Sequence, residues 1–186
     1  MKTRAGFAAI IGAPNAGKST LVNRLTGSKV SIVTQKVQTT RFPVRGIAME
    51  GDAQIVLVDT PGIFTPRRRL DRAMVASAWG GASDADVVVH LIDAASHIAS
   101  EGKEGQAADR RSAEDTDTII ANLKATNTRV ILALNKIDGM RRETLPMSVE
   151  ARFMRPATAG SANTRPRATA LRSYAARARS SVRNSA

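Results

Sequence analysis

Cysteine is absent from the 186 residues, and aromatic side chains are scarce: one Trp, one Tyr and four Phe. The first absence excludes disulfides, a catalytic thiol and thiolate zinc sites, and it fits a reducing compartment, so the expected location is cytoplasmic. The second leaves Trp79 isolated, with no platform of stacked aromatics for single-stranded RNA. Long apolar runs are also missing. No stretch approaches the roughly 18 apolar residues that a spanning helix needs. The short apolar run at 7–11 follows a basic start but enters a Gly-rich turn at Gly12, so it reads as a buried first strand rather than a leader. Acidic residues stop at Glu150: residues 151–186 hold eight of the 28 Lys and Arg and none of the 16 Asp and Glu. Two-thirds of the net charge of +12 therefore sits in that last segment, and a basic total does not by itself make the rest of the chain a nucleic-acid binder.

What is present is an alternation. Apolar runs at 7–11, 55–58, 87–92 and 130–134, each bounded by turn residues, read as strands buried on both faces. Stretches of helical composition at 18–25, 70–78 and 113–125 lie between them. Strands alternating with helices imply an α/β fold, a mostly parallel sheet with helices on both faces. Residues 41–49 and 53–58, separated by Glu50-Gly51-Asp52, predict an antiparallel hairpin, and Pro43 favours the sheet edge for it. The polar, Gly-containing stretch 96–111 predicts a long surface excursion. After residue 146, Ala, Arg, Ser and Thr dominate, which buries too little apolar surface to offset chain entropy. The expected organisation is one domain over 1–146, incomplete at its C-terminal end, and a disordered Arg/Ala/Ser-rich tail over 147–186.

Three motifs carry chemistry. Gly12, Ala13, Pro14, Asn15, Ala16, Gly17, Lys18 and Ser19, followed by Thr20, form a phosphate loop: glycines turn the backbone so that its N–H groups face phosphate, between a predicted strand and a predicted helix. Lys18 would neutralise the β- and γ-phosphates, and the Ser19 hydroxyl would ligate Mg²⁺. At average residue usage this pattern arises by chance in about 1% of chains of this length. Asp59, Thr60, Pro61 and Gly62 follow another buried strand at its carboxyl end, where α/β sheets bind ligands. Asp59 would hold Mg²⁺ through water, and the Gly62 amide would donate to the γ-phosphate. An ordinary Pro-Gly turn is the plain alternative. Asn135, Lys136, Ile137 and Asp138 close a third strand. A carboxylate accepts only, so Asp138 suits the ring N–H and exocyclic amine of guanine, and adenine presents an acceptor there. Between the first two motifs, Gln35-Lys36-Val37-Gln38-Thr39-Thr40-Arg41 has the character of a switch loop, with Thr40 rather than Thr39 as the third Mg²⁺ ligand. Among the remaining residues, Arg67, Arg68 and Arg69 read as a solvated helix start, His90 as a core histidine and His97 as a loop residue.

Taken together, Gly12-Ala-Pro-Asn-Ala-Gly-Lys-Ser-Thr, Gln38-Thr-Thr-Arg, Asp59-Thr-Pro-Gly-Ile and Asn135-Lys-Ile-Asp resemble the Era family, within the wider Era/EngA/TrmE-like group of P-loop NTPases with a Ras-like G domain, over about residues 5–145. The resemblance implies GTP hydrolysis to GDP and phosphate, a role in small-subunit ribosome assembly and rRNA maturation, and a carboxy-terminal KH-type domain that holds ribosomal RNA. It also implies an activating K⁺ at Asn15, a monomer, and a cytoplasmic location with loose inner-membrane association. Lys18, Thr40 and Gly62 are the catalytic candidates, with Ser19, Thr40 and Asp59 as the metal ligands. Two departures accompany it. Where Ras-like enzymes carry a water-orienting Gln, this chain has Ile63, so slow turnover is expected. The family's last strand with its Ser-Ala motif and the Gly-x-x-Gly of a KH domain are not recognisable; Ser161-Ala162 has no apolar strand before it. The expectation is a truncated or frameshifted family member, with two rival readings: a nucleotide-binding module without useful hydrolysis, and a basic RNA-binding fragment acting through its tail.

Overall fold

The computed structural model describes residues 4–33, 40–102 and 105–138. The tail expected over 147–186, Ser161-Ala162, and the switch residues 35–39 lie outside the described residues. Nine elements follow in order: β1 (Arg4–Ile11), α1 (Lys18–Thr26), β2 (Val44–Glu50), β3 (Ala53–Asp59), α2 (Arg69–Ser83), β4 (Val87–Asp93), α3 (Ala94–Glu101), α4 (Ala107–Ala125) and β5 (Val130–Asn135). The sheet runs β2-β3-β1-β4-β5. All neighbours are parallel except β2, which pairs antiparallel with β3 from Val44↔Asp59 to Glu50↔Ala53. The expected mostly parallel sheet with an edge hairpin is the observed one. β2 begins at Val44, just after Pro43, because proline has no N–H to give the ladder.

Two apolar clusters hold helices to opposite faces. Val22 of α1 packs with Ala8, Ile10, Leu57 and Leu91 on one face. On the other, Ala78 and Ala82 of α2 and Ile119 and Leu123 of α4 pack with Ala9, Ile11, Val58 and Val88. Neighbouring residues of β1 thus feed different cores, as a period-two strand buried on both faces must. Among the described residues β5 is an edge strand, and all six of its residues are only half-buried although their composition is apolar.

One expectation is corrected. Residues 96–111 are not a surface excursion: α3 covers Ala94–Glu101 and α4 begins at Ala107, six residues before the expected start. His97 is accordingly not a loop residue but lies buried on α3. Local capping explains both helices. The Asp93 carboxylate accepts from the Ser96 amide at 3.1 Å, and Asp109 accepts from the Gln106 amide at 3.0 Å, each satisfying a donor at a helix start. Among the described polar residues of that stretch, Glu101, Gln106, Arg110 and Arg111 are exposed, whereas His97 faces inward. Gly105 lies against α3, where a β-carbon would overlap the Ala99 carbonyl.

The two-sided core predicts unequal costs of truncation. Ile119→Ala, fully buried, should lower unfolding free energy by about 2–5 kcal/mol, whereas Ile47→Ala, half exposed on the edge strand, should change it by less than about 0.5 kcal/mol. Urea unfolding of both variants checks this.

Candidate functional site

The phosphate loop spans the gap between β1 and α1 at the carboxyl end of the sheet, and it is tied to both neighbouring motifs by its backbone. The Gly12 carbonyl accepts from the Ile63 amide at 3.1 Å, and the Ala16 carbonyl accepts from Asn135 Nδ2 at 2.8 Å. Ala13 and Ala16 are buried, so the loop is walled in rather than draped on the surface. Two glycines are obligatory. At Gly12 (φ 155°) a β-carbon would overlap the Leu91 carbonyl, and at Gly17 (φ 96°) it would overlap the Asn135 amide. The side chain that bridges to the loop is therefore able to do so only because position 17 has none. Pro14 packs against Gly62, where a β-carbon would lie 3.0 Å from the proline ring. The left-handed backbone of Asn15 (φ 60°) turns the exposed crest of the loop.

Lys18 is buried, and its ammonium donates to the Gly12 and Ala13 carbonyls at 3.1 and 2.8 Å. Burial lowers its pKa to about 8, and the Asp59 carboxylate opposes that shift. Three oxygens converge beside it. Ser19 Oγ donates to Asp59 Oδ2 at 2.6 Å, Thr40 Oγ1 donates to the same oxygen at 3.2 Å, and the two hydroxyls are 3.3 Å apart. Asp59 is fully buried, and its Oδ1 has no hydrogen-bond partner. One carboxylate with two hydroxyls is a hard-oxygen donor set, and a buried carboxylate oxygen left over suits a cation or its water. Among the described residues no group of three or more Asp, Glu or His could cage a metal alone. The set therefore fits Mg²⁺, which takes few carboxylates and completes its shell with waters and phosphate oxygens.

Thr60 is not aimed at this centre: its hydroxyl donates to the Ile10 carbonyl at 2.8 Å and locks the Asp59 strand end to β1. Thr20 is exposed on the first turn of α1. Pro61 and Ile63 are buried. Asn135 faces the loop, Ile137 and Asp138 are exposed, and Lys136 adopts a left-handed backbone (φ 58°) with its ammonium 2.6 Å from Asp93. The structure thus brings Lys18, Ser19, Thr40, Asp59 and Gly62 together around the loop and Asn135 against it, with Asp138 one loop away. His90 is fully buried, as a core histidine should be, and burial with the nearby Lys18 charge lowers its pKa to about 3, so it is neutral. Sequence reasoning missed Asp93, which ends a buried strand at its carboxyl end as Asp59 and Asn135 do. The same signal could have found it.

The sign of the Lys18 shift sets a pH dependence. Its folded pKa lies below the unfolded one, so holding it charged costs stability below about pH 8, and the cost is relieved as pH rises from there toward the unfolded value. The ligand-free chain should gain on the order of 3 kcal/mol over that window relative to Lys18→Met. Urea midpoints of both proteins between pH 7.5 and 10 test it; parallel pH dependence in the two would refute it.

Comparison with known proteins follows the geometry. A family model described as 50S ribosome-binding GTPase matches residues 7–136. GTPase Era of Caulobacter vibrioides is 69% identical over 144 residues, covering 77% of this chain and 46% of that protein. GTPase Era of Sinorhizobium medicae is 57% identical over 143 residues, covering 77% and 42%. Among solved structures, Era in complex with MgGDPNP and nucleotides 1506–1542 of 16S ribosomal RNA superposes with a TM-score of 0.62 at 37% identity, over 81% of this chain and 47% of that one. An Aquifex aeolicus Era variant bound to GDP and AlF4⁻ gives 0.61 at 37% identity, over 80% and 46%. The chain spans a little under half the length of these relatives. With its phosphate loop on β1, its Asp59 turn on β3 and its Asn135 turn on β5, the chain belongs to the 50S ribosome-binding GTPase family and has the fold of the Era G domain.

Proposed function

We propose that the chain binds guanine nucleotide with Mg²⁺ and hydrolyses GTP to GDP and phosphate. The observation that carries this reading is the convergence on one phosphate loop of the Lys18 ammonium, the Ser19–Thr40–Asp59 oxygens and the Asn135 amide. That arrangement would serve as a cation for phosphate, a donor set for a divalent ion and a turn that reads guanine, which supports the reading. Mg²⁺, when bound, supplies positive charge against the phosphate oxygens; Ser19, Thr40 and Asp59 would hold it. Lys18, now donating to two loop carbonyls, has its charge already within the loop and needs only to exchange those acceptors for phosphate oxygens. Backbone amides of the loop, Pro14 excepted because it has no N–H, would donate to phosphate oxygens, the Gly62 amide would donate to the γ-phosphate, and Asp138 would accept from the guanine edge. Thr20, Thr60, Pro61 and Ile137 would flank the nucleotide through their places in the three motifs, Thr60 with its hydroxyl turned to Ile10. Asn15 offers an exposed amide oxygen, a suitable donor for an activating K⁺.

Ile63 favours a second reading. It is buried and aliphatic, and its amide already donates to Gly12, so it cannot orient an attacking water. Turnover then depends on electrostatics alone, and the chain acts as a slow GTPase or as a module that holds nucleotide without useful hydrolysis. Assembly of the small ribosomal subunit, contact with its rRNA, a monomeric state, and a cytoplasmic location with peripheral membrane association belong to the same proposal, on the strength of the family likeness; a basic fragment that binds RNA through residues 147–186 is the rival reading, and it rests on charge alone. An Era relative has been solved with a 16S rRNA fragment, and no helix among the described residues is long and apolar enough to cross a membrane.

Titration of the purified chain with fluorescent GDP in Mg²⁺ should saturate, with displacement by GTP but not ATP and loss of binding in Lys18→Ala. Absence of binding by a soluble, folded preparation would sink the reading. Single-turnover release of phosphate separates the slow GTPase from the binding module. If K⁺ acts at Asn15, replacing K⁺ by Na⁺ should slow release several-fold, on the order of 1 kcal/mol of lost charge stabilisation, in the parent chain but not in Asn15→Ala.

A further inference from the structure

β4 ends on Asp93, which lies directly opposite Asn135 in the parallel register with β5. Its side chain is buried to 5% exposure and makes two kinds of contact. Toward its own helix, Oδ1 accepts from the Ser96 amide at 3.1 Å and Oδ2 from the Ser96 hydroxyl at 3.2 Å. Across to the neighbouring strand, Oδ2 accepts from the Lys136 ammonium at 2.6 Å. Ser96 alone would make Asp93 a helix cap. The Lys136 contact makes it something more, because Lys136 sits between Asn135, which holds the phosphate loop, and Asp138, which faces outward from the same turn.

The turn needs such an anchor. Lys136 has a left-handed backbone (φ 58°), a conformation that disfavours L side chains by about 1 kcal/mol or more. Asn135 is tied at the near end, but Ile137 and Asp138 are exposed. A buried carboxylate gripping the one residue in the strained conformation holds the turn in register at its centre. The lysine side chain is 45% exposed, so the pair is reached by solvent on one side only.

We propose that Asp93 is a positioning residue for guanine recognition: by holding the Lys136 ammonium it fixes the turn that presents Asp138 to the base. The inference rests on the nucleotide-binding reading above. It differs from a purely structural cap in what it requires, since capping needs only an acceptor, and asparagine caps as well as aspartate, whereas the grip on Lys136 draws its strength from the negative charge and weakens with a neutral acceptor.

The test uses the full chain with Asp93→Asn, Asp93→Ala, Lys136→Met and the double variant Asp93→Asn/Lys136→Met, measuring GDP affinity and the ligand-free urea midpoint of each. Asp93→Asn should bind GDP on the order of tenfold more weakly with an unchanged urea midpoint, whereas Asp93→Ala should lose affinity and also unfold at lower urea. In the Lys136→Met background, Asp93→Asn should cause no further loss, because the interaction it removes is already gone. Parent-like affinity in Asp93→Asn would overturn the inference while leaving the nucleotide-binding reading intact. So would an undiminished further loss in the double variant, or an affinity loss accompanied by the same fall in midpoint as Asp93→Ala. A parent chain that binds no GDP would overturn both readings together.

Discussion

Two backbone carbonyls of the phosphate loop organise the ligand-binding end of the molecule. Gly12 accepts from the Ile63 amide and Ala16 from the Asn135 side chain, so the loop that follows β1 is the common partner of the turns that follow β3 and β5. These contacts join segments far apart in the chain, and each requires close approach of backbone to backbone or side chain. The glycines at 12 and 17 permit that approach, because any β-carbon there would occupy the space taken by Leu91 or Asn135. The central position of β1 in the sheet follows the same logic. Only a strand flanked by β3 and β4, with β5 one strand further, can present its loop to both turns at once.

Charge is arranged around this loop at some cost to stability. Lys18 and Asp59 are both buried within it, and burial of an ammonium disfavours its charged form, which is why its pKa falls toward 8. The loop carbonyls and the two hydroxyls partly compensate, but Asp59 keeps one oxygen without a partner. A fold optimised for stability alone would have no reason to retain that oxygen or that buried ammonium. His90 on the neighbouring strand stays neutral, so it adds no further charge to the region.

Much of this was legible in the chain itself. The run before Gly12 and the helix composition after it placed the loop at a strand end, and the same logic placed Asp59 and Asn135. Those positions are set by local pattern: apolar runs make buried strands, and turn residues mark their ends. The stretch 96–111 was misread because polarity was taken for irregularity. Asp93 and Asp109 accept from amides at the helix starts there, and most buried residues of the two helices, Ala94 in α3 and Ala113, Thr116, Ile119, Ile120 and Leu123 in α4, lie outside that stretch, so it carries little apolar signal. His97 is buried on α3, a helix that packs against α4, and that packing has no signature in the stretch itself.

The sequence by itself determined the alternating strands and helices, the glycine-dependent turn between β1 and α1, and the residue types fit for phosphate, cation and guanine. Those follow from backbone sterics and side-chain chemistry, which act within a few residues. Only the tertiary structure decided which oxygens meet. That Thr40 reaches Asp59 beside Ser19, that Asn135 fills the space Gly17 leaves, and that Asp93 grips Lys136 all depend on strand order and register. Strand order is set by packing of the whole sheet against its helices, a constraint that no local stretch of sequence contains.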